Sequence, residues 1–151
     1  MQPYVGRLSA LIAASRSTPT DDVTSRTELD NHANMIVAGS ECIIFDDTGK
    51  TCTVNSFAKS AGSIDDVRIV DVAVSYDCPF SHKSYILLMR NALYVPELKM
   101  NLIPPFIMRE GGLEVDECPK SQAQVPTVSN HSMYSKDQDL RIHFDLNGTF
   151  S

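Results

Sequence analysis

The sequence predicts an all-β fold with one short helix. Residues 67–75 are largely apolar on both alternating faces, with Asp71 on one and Arg68 on the other, which is typical of a strand within a sheet, and other β-branched runs are separated by clusters of turn residues. Residues 101–110 carry apolar side chains at helical spacing, with Pro104 and Pro105 confining regular helix to the residues after them and Gly111 ending it. At 151 residues and 42% hydrophobic content, the chain can bury one core.

The first predicted hairpin lies in residues 41–54. Two apolar or β-branched runs, 41–45 and 50–54, flank four residues that are typical of turns. We therefore predict the hairpin tip at Asp46, Asp47, Thr48 and Gly49.

A second hairpin is predicted from residues 67–75 and 85–89, because Pro79 and Ser81 supply turn residues between them. Residues 92–95 should form a short strand, since Pro96 removes an amide from any ladder. The remaining predicted strands are residues 28–29, 34–37, 113–115 and 140–146.

Composition divides the chain into a domain with tails. Residues 1–27 are predicted to be a flexible linker, because Ser, Thr and Asp dominate residues 15–27. Residues 28–118 should form the folded domain. Residues 119–151 are predicted to be a loop followed by the start of a downstream segment, because Ser, Gln, Asn and Pro are frequent in residues 119–137.

Charge, hydropathy and cysteine spacing exclude several partners. The formal net charge is −6 and the 13 Lys and Arg residues are scattered, so we predict no direct contact with nucleic acid. No apolar run reaches the roughly 18 residues of a membrane span. We predict no cofactor, and four free thiols, with a disulfide between the first two across the hairpin as the alternative; the cysteines are Cys42, Cys52, Cys78 and Cys118.

The candidate chemistry lies in the turn formed by Asp30, Asn31, His32 and Ala33, between apolar strand residues. An aspartic peptidase needs two carboxylates close enough to share one proton, and this chain offers one good turn of this kind. A metal site is the alternative, because Asp30, His32 and Asn34 would share one face of a straight strand, although a third strong ligand has no evident source.

Two further segments, Leu93-Tyr94-Val95-Pro96 and Asn101-Leu102-Ile103, come after this turn in order. Together the three segments resemble the retropepsin-type aspartic peptidase domain of a copia-type retrotransposon polyprotein. The resemblance implies a closed or partly closed retropepsin-like barrel and a homodimer in which Asp30 of each chain activates water. It also implies a polyprotein substrate, a cytoplasmic location in virus-like particles, a flap at 46–49, and a packing role behind the turn for the two later segments.

The turn departs from the family pattern at two positions. Asn31 stands where the family has Ser or Thr, and its amide can still donate and accept hydrogen bonds. His32 stands where the family has Gly, so we expect backbone strain and an imidazole that alters the titration of the paired carboxylates. The alternative function is a catalytically inactive module that keeps the fold for dimerisation and assembly.

Overall fold

The computed structural model describes residues 7–14, 26–55, 60 and 62–146. Within these residues the chain forms ten strands and one short helix, which confirms the all-β prediction. The strands are β1 (Arg7–Ala14), β2 (Arg26–Leu29), β3 (Val37–Ala38), β4 (Ile43–Asn55), β5 (Ser63–Asp77), β6 (Ser84–Tyr94), β7 (Met100–Ile103), β8 (Glu114–Asp116), β9 (Ser132–Ser135) and β10 (Leu140–His143), and the helix is α1 (Pro105–Glu110).

The strands form two sheets. The larger has the order β2-β7-β3-β6-β5-β4, with β1 pairing to β6 beside that path, and the smaller has the order β10-β9-β8. Among the described residues, neither sheet closes into a barrel, because β2 and β4 end the larger sheet without pairing to each other. This differs from the closed or partly closed barrel that the resemblance implied.

One core joins the two sheets and the helix. Strand β5 is buried on both faces from Ile69 to Val72, β6 contributes Met89 and Ala92, and α1 adds Ile107 and Met108. Met133 of β9 is buried in the same cluster, so the smaller sheet packs onto the main domain. Side chains with at most 1% exposure include Ile36, Ile69, Val70, Val72, Met89 and Ile103.

The hairpin tip predicted at Asp46 to Gly49 is wrong. These residues lie inside the continuous strand β4, where the pairing with β5 shifts between Asp47 and Lys50. Thr48 Oγ1 donates to the carbonyl oxygen of Ile69 at 2.6 Å, which ties the irregular segment to β5. Turn residues therefore form a bulge here. The connection between the two strands contains residues 56–59 and 61, which lie outside the described residues.

Both predicted tails contain strands. Strand β1 lies in the predicted linker and pairs with β6, from Arg7 opposite Arg90 to Ala14 opposite Ser84. The predicted 119–137 loop contains β9, which pairs with β8 and β10. Local composition missed β1 because its pairing partner, β6, is distant in the chain. It missed β9 because serine is typical of loops, whereas here Ser132 is buried and its hydroxyl donates to the Ser129 carbonyl oxygen at 2.8 Å.

Candidate active site around Asp30

Strand β2 delivers Asp30 to the end of the larger sheet. It runs parallel to β7, with Leu29 opposite Ile103, and the Asp30 N–H continues the ladder by donating to the Ile103 carbonyl oxygen at 3.1 Å. The backbone of Asp30 is therefore fixed by β7, while its side chain is free to serve the turn.

The Asp30 carboxylate makes a local turn. Its Oδ1 accepts the backbone N–H of His32 at 2.9 Å, the bond of an Asx turn. Among the described residues, no other group donates a hydrogen bond to this carboxylate, so Oδ2 is uncommitted. Asp30 is half-buried, whereas Asn31 and His32 are exposed.

The backbone strain expected at His32 is absent. Non-glycine residues with positive φ among those described are Asp66, His82, Asn91, His131 and Asp139, and His32 is not one of them. Because the turn uses ordinary backbone angles at this position, it does not require glycine. The imidazole is exposed and is not crowded by its own chain.

The chain leaving the turn joins the Leu93 segment directly. Ile36 is fully buried, and its carbonyl oxygen accepts the Leu93 N–H at 2.8 Å. Val37 then lies opposite Leu93 in the parallel pairing with β6 and opposite Leu102 in the antiparallel pairing with β7. The structure therefore places β3 between the two later segments.

Asn101 links the chain before the turn to the chain after it. Its side chain is 1% exposed; Oδ1 accepts the Gly39 N–H at 3.0 Å, and Nδ2 donates to Thr27 Oγ1 at 3.3 Å. Sequence reasoning placed Asn101 only within a motif. The signal that could have found it was a polar residue in a short apolar strand, because a buried amide must find partners.

The predicted flap residues make a second Asx turn, inside the bulge of β4 and with different surroundings. Asp47 Oδ1 accepts the Gly49 N–H at 2.9 Å, and Oδ2 accepts from Nη2 and Nε of Arg68 at 2.6 and 3.0 Å. The Gly49 N–H and, next to it, the Arg68 guanidinium hold the pKa of Asp47 below its usual value. This carboxylate is fully engaged as a structural acceptor.

The described residues give little support to a metal site or to a disulfide. There, no group of three or more His, Cys, Asp and Glu side chains is arranged to hold a metal, so the Asp30, His32 and Asn34 set gains no further ligand. The four cysteines are free. Burial raises the pKa of the Cys42 thiol, which donates to the Gly39 carbonyl oxygen at 3.1 Å.

Comparisons with known proteins identify no relative of this chain. No protein-family model, curated protein or solved structure matches the chain. Among the described residues there is no helix with the length and apolar character needed to cross a membrane.

Proposed function

We propose that this chain is an aspartic endopeptidase of a retroelement polyprotein, with a retropepsin-like fold and a homodimeric active site. One observation carries the proposal: the Asp30 turn and the two later motif segments, distant in sequence, form a single hydrogen-bonded unit. Such a unit presents one carboxylate at the end of the edge strand β2, where a second copy can bring its own.

Two Asp30 side chains at a dimer axis would share one proton, because two like charges at contact distance cannot both ionise. The ionised partner removes a proton from water, while the protonated partner donates to the peptide carbonyl. The water oxygen bonds to the carbonyl carbon, the C–N bond then breaks, and the departing amine takes its proton from the carboxyl group that deprotonated the water. The proton belongs to the pair, so either copy can hold it.

The second carboxylate is proposed to come from a second copy, because the other carboxylates that make the same local bond, Asp47 and Asp116, have both oxygens bound. Asp47 is held by Arg68 and Gly49, and buried Asp71 is bound by Arg90 at 2.9 Å and by the Asn91 N–H at 2.8 Å. A two-fold axis would pair identical turns. The cover over the substrate is proposed for the hairpin of β4 and β5, of which 46–49 form part of one arm.

A second candidate function is an inactive dimerisation and assembly module. The Oδ1 bond to His32 favours it, because an Asx turn makes the same bond when it serves structure alone. The two functions differ in whether Asp30 reacts.

A pH series of peptide-library cleavage, from mildly acidic to neutral, tests the proposal. The wild type is compared with Asp30→Ala, with and without a statine-type transition-state mimic, and the mass of each dimer is measured by light scattering. Inhibitable cleavage that the variant loses at unchanged dimer mass supports the peptidase. A folded dimer that cleaves nothing at any pH refutes it and leaves the assembly module.

A further inference from the structure

We propose that Asn101 is a positioning residue for Asp30: its side-chain amide fixes together the two chain segments that enter and leave the Asp30 turn. The consequence for catalysis rests on the proposed peptidase function, whereas the consequence for the turn's geometry does not. Thr27 lies on β2 ahead of Asp30, and Gly39 comes directly after β3. Asn101 bonds to both from the strand between them.

The Asn101 side chain is buried, and both of its polar groups are hydrogen-bonded. It lies directly opposite Thr27 in the parallel register and is 1% exposed. In this environment each of its polar groups must keep a protein partner, because an unpaired buried amide is costly. Moving the Gly39 segment away from β7 would therefore break a buried bond that water cannot replace. The bond to Thr27, an exposed residue, is the longer and weaker of the two.

Gly39 cannot shift to compensate. A Cβ at this position would lie 2.4 Å from the Met100 carbonyl oxygen and 2.6 Å from that of Leu98, so the Gly39 backbone lies directly against the chain leading into β7. Ser40 donates to the same Leu98 oxygen at 2.7 Å. Glycine is needed here for close backbone approach, and this contact leaves the Asn101 side chain as the acceptor for the Gly39 N–H.

Strand β7 thus holds the turn at three points. The Asn101 side chain binds Thr27 before the turn, the Ile103 carbonyl oxygen binds the Asp30 N–H, and the Asn101 side chain binds Gly39 after the turn. Carboxylates that share a proton must meet at hydrogen-bond distance, and a displacement of about 1 Å can cost about a hundredfold in rate. Loosening these three hydrogen bonds would therefore slow the chemical step.

The test compares Asn101→Ala with Asn130→Ala, a matched control in the turn that precedes β9. Asn130 also bridges two segments through its side chain, donating to Asp116 at 2.9 Å and accepting from Thr127 at 2.7 Å, but it has no bond to the Asp30 unit. Thr27→Val, which removes only the hydroxyl acceptor, gives a milder second variant. Each protein is studied as the full chain by amide hydrogen exchange and by cleavage kinetics.

In Asn101→Ala, exchange at the Gly39, Asp30 and His32 amides should quicken by about tenfold, while Asn130→Ala leaves these amides unchanged. The kcat should fall by about 10- to 100-fold with KM within about twofold, and the pH profile of kcat should move. Thr27→Val should show the same pattern at smaller size. Loss of kcat with a shifted pH profile separates positioning from a general loss of folded protein.

Unchanged exchange at Asp30 and His32 in Asn101→Ala overturns the inference. Faster exchange with wild-type kcat overturns its catalytic consequence. If the wild type cleaves nothing, the peptidase proposal fails, and the exchange measurement alone decides whether Asn101 holds the turn. If Asn101→Ala does not fold, Thr27→Val carries the same comparison.

Discussion

Two acidic turns in this chain share the same local bond and differ in everything around it. Asp30 Oδ1 accepts the N–H of His32, and Asp47 Oδ1 accepts the N–H of Gly49, both at 2.9 Å. Oδ2 of Asp47, on β4, accepts hydrogen bonds from the exposed Arg68 of β5. Oδ2 of Asp30 accepts no hydrogen bond among the described residues. Asp30 is half-buried, and its backbone N–H is bonded to β7.

The comparison shows that residue type specifies a turn, while the partner of the second oxygen specifies its role. A carboxylate with both oxygens bound by fixed donors stays ionised and holds two strands together. One with a free oxygen can meet a second carboxylate or a water molecule. Of the two turns, only Asp30 is available for the proposed chemistry.

The largest expected effect is on cleavage. Asp30→Asn and Asp47→Asn each keep an acceptor oxygen for the turn and remove one charge. We expect Asp30→Asn to lower kcat by at least about a thousandfold, because a neutral amide cannot remove a proton from water. Asp47→Asn should retain kcat within a few-fold. Equal losses of kcat in both variants, at equal dimer mass, would remove the distinction between the turns.

The next effect is on stability at the glycine that lies beyond each turn. Gly39→Ala should lower the free energy of unfolding by about 3 kcal/mol, because the new methyl group meets two backbone carbonyl oxygens. Gly49→Ala should cost about 1 kcal/mol, since φ is +71° but no atom lies within 4 Å of the added Cβ. Urea denaturation at one fixed protein concentration measures both. A larger loss at Gly49 would contradict the tight packing behind the Asp30 turn.

The success of sequence-based prediction differs between the same two regions. The strands around Asp30, the short helix and the β5–β6 hairpin were predicted, because apolar periodicity and proline positions are local signals. The acidic run 46–49 was mistaken for a hairpin tip, since the same residues also suit a bulge. Only the contacts of Thr48 with Ile69 and of Asp47 with Arg68, both made across strands, distinguish the two outcomes.

The sequence predicted which residue carries the candidate chemistry, but not the hydrogen bonds that hold its turn in place. Asp30 was identified from the turn and the later motifs, whereas the bridge from Asn101 to Thr27 and Gly39 depends on a parallel register between strands distant in sequence. Strain at His32 was inferred from a family pattern that places glycine there. The backbone of this turn does not need glycine, and φ can be read only from the fold.

A smaller effect is expected at two exposed histidines. His32→Gly should lower the free energy of unfolding by about 0.5–1 kcal/mol, because glycine adds freedom to the unfolded chain where the fold needs none. His82→Gly should raise it by up to about 1 kcal/mol, since His82 has φ of 54° and glycine relieves that strain. Thermal and urea denaturation check both signs. A stabilising effect of His32→Gly would show that His32 is strained, as the family pattern implied.

The smallest effect is the dependence of stability on pH at Asp47. Its pKa is lowered from 3.8 by the Gly49 N–H first and by Arg68 next, so the ionised form stabilises the folded chain above that value. The stabilisation should disappear as the pH falls through the lower folded-state pKa. The difference in urea midpoint between wild type and Asp47→Asn should therefore be larger at about pH 6 than at about pH 2.5. In Arg68→Ala the Gly49 bond remains, so part of this pH dependence should persist and lose its sensitivity to salt. If Arg68→Ala abolished this pH dependence entirely, the source of the lowered pKa would be the ion pair and not the local bond to the Gly49 N–H.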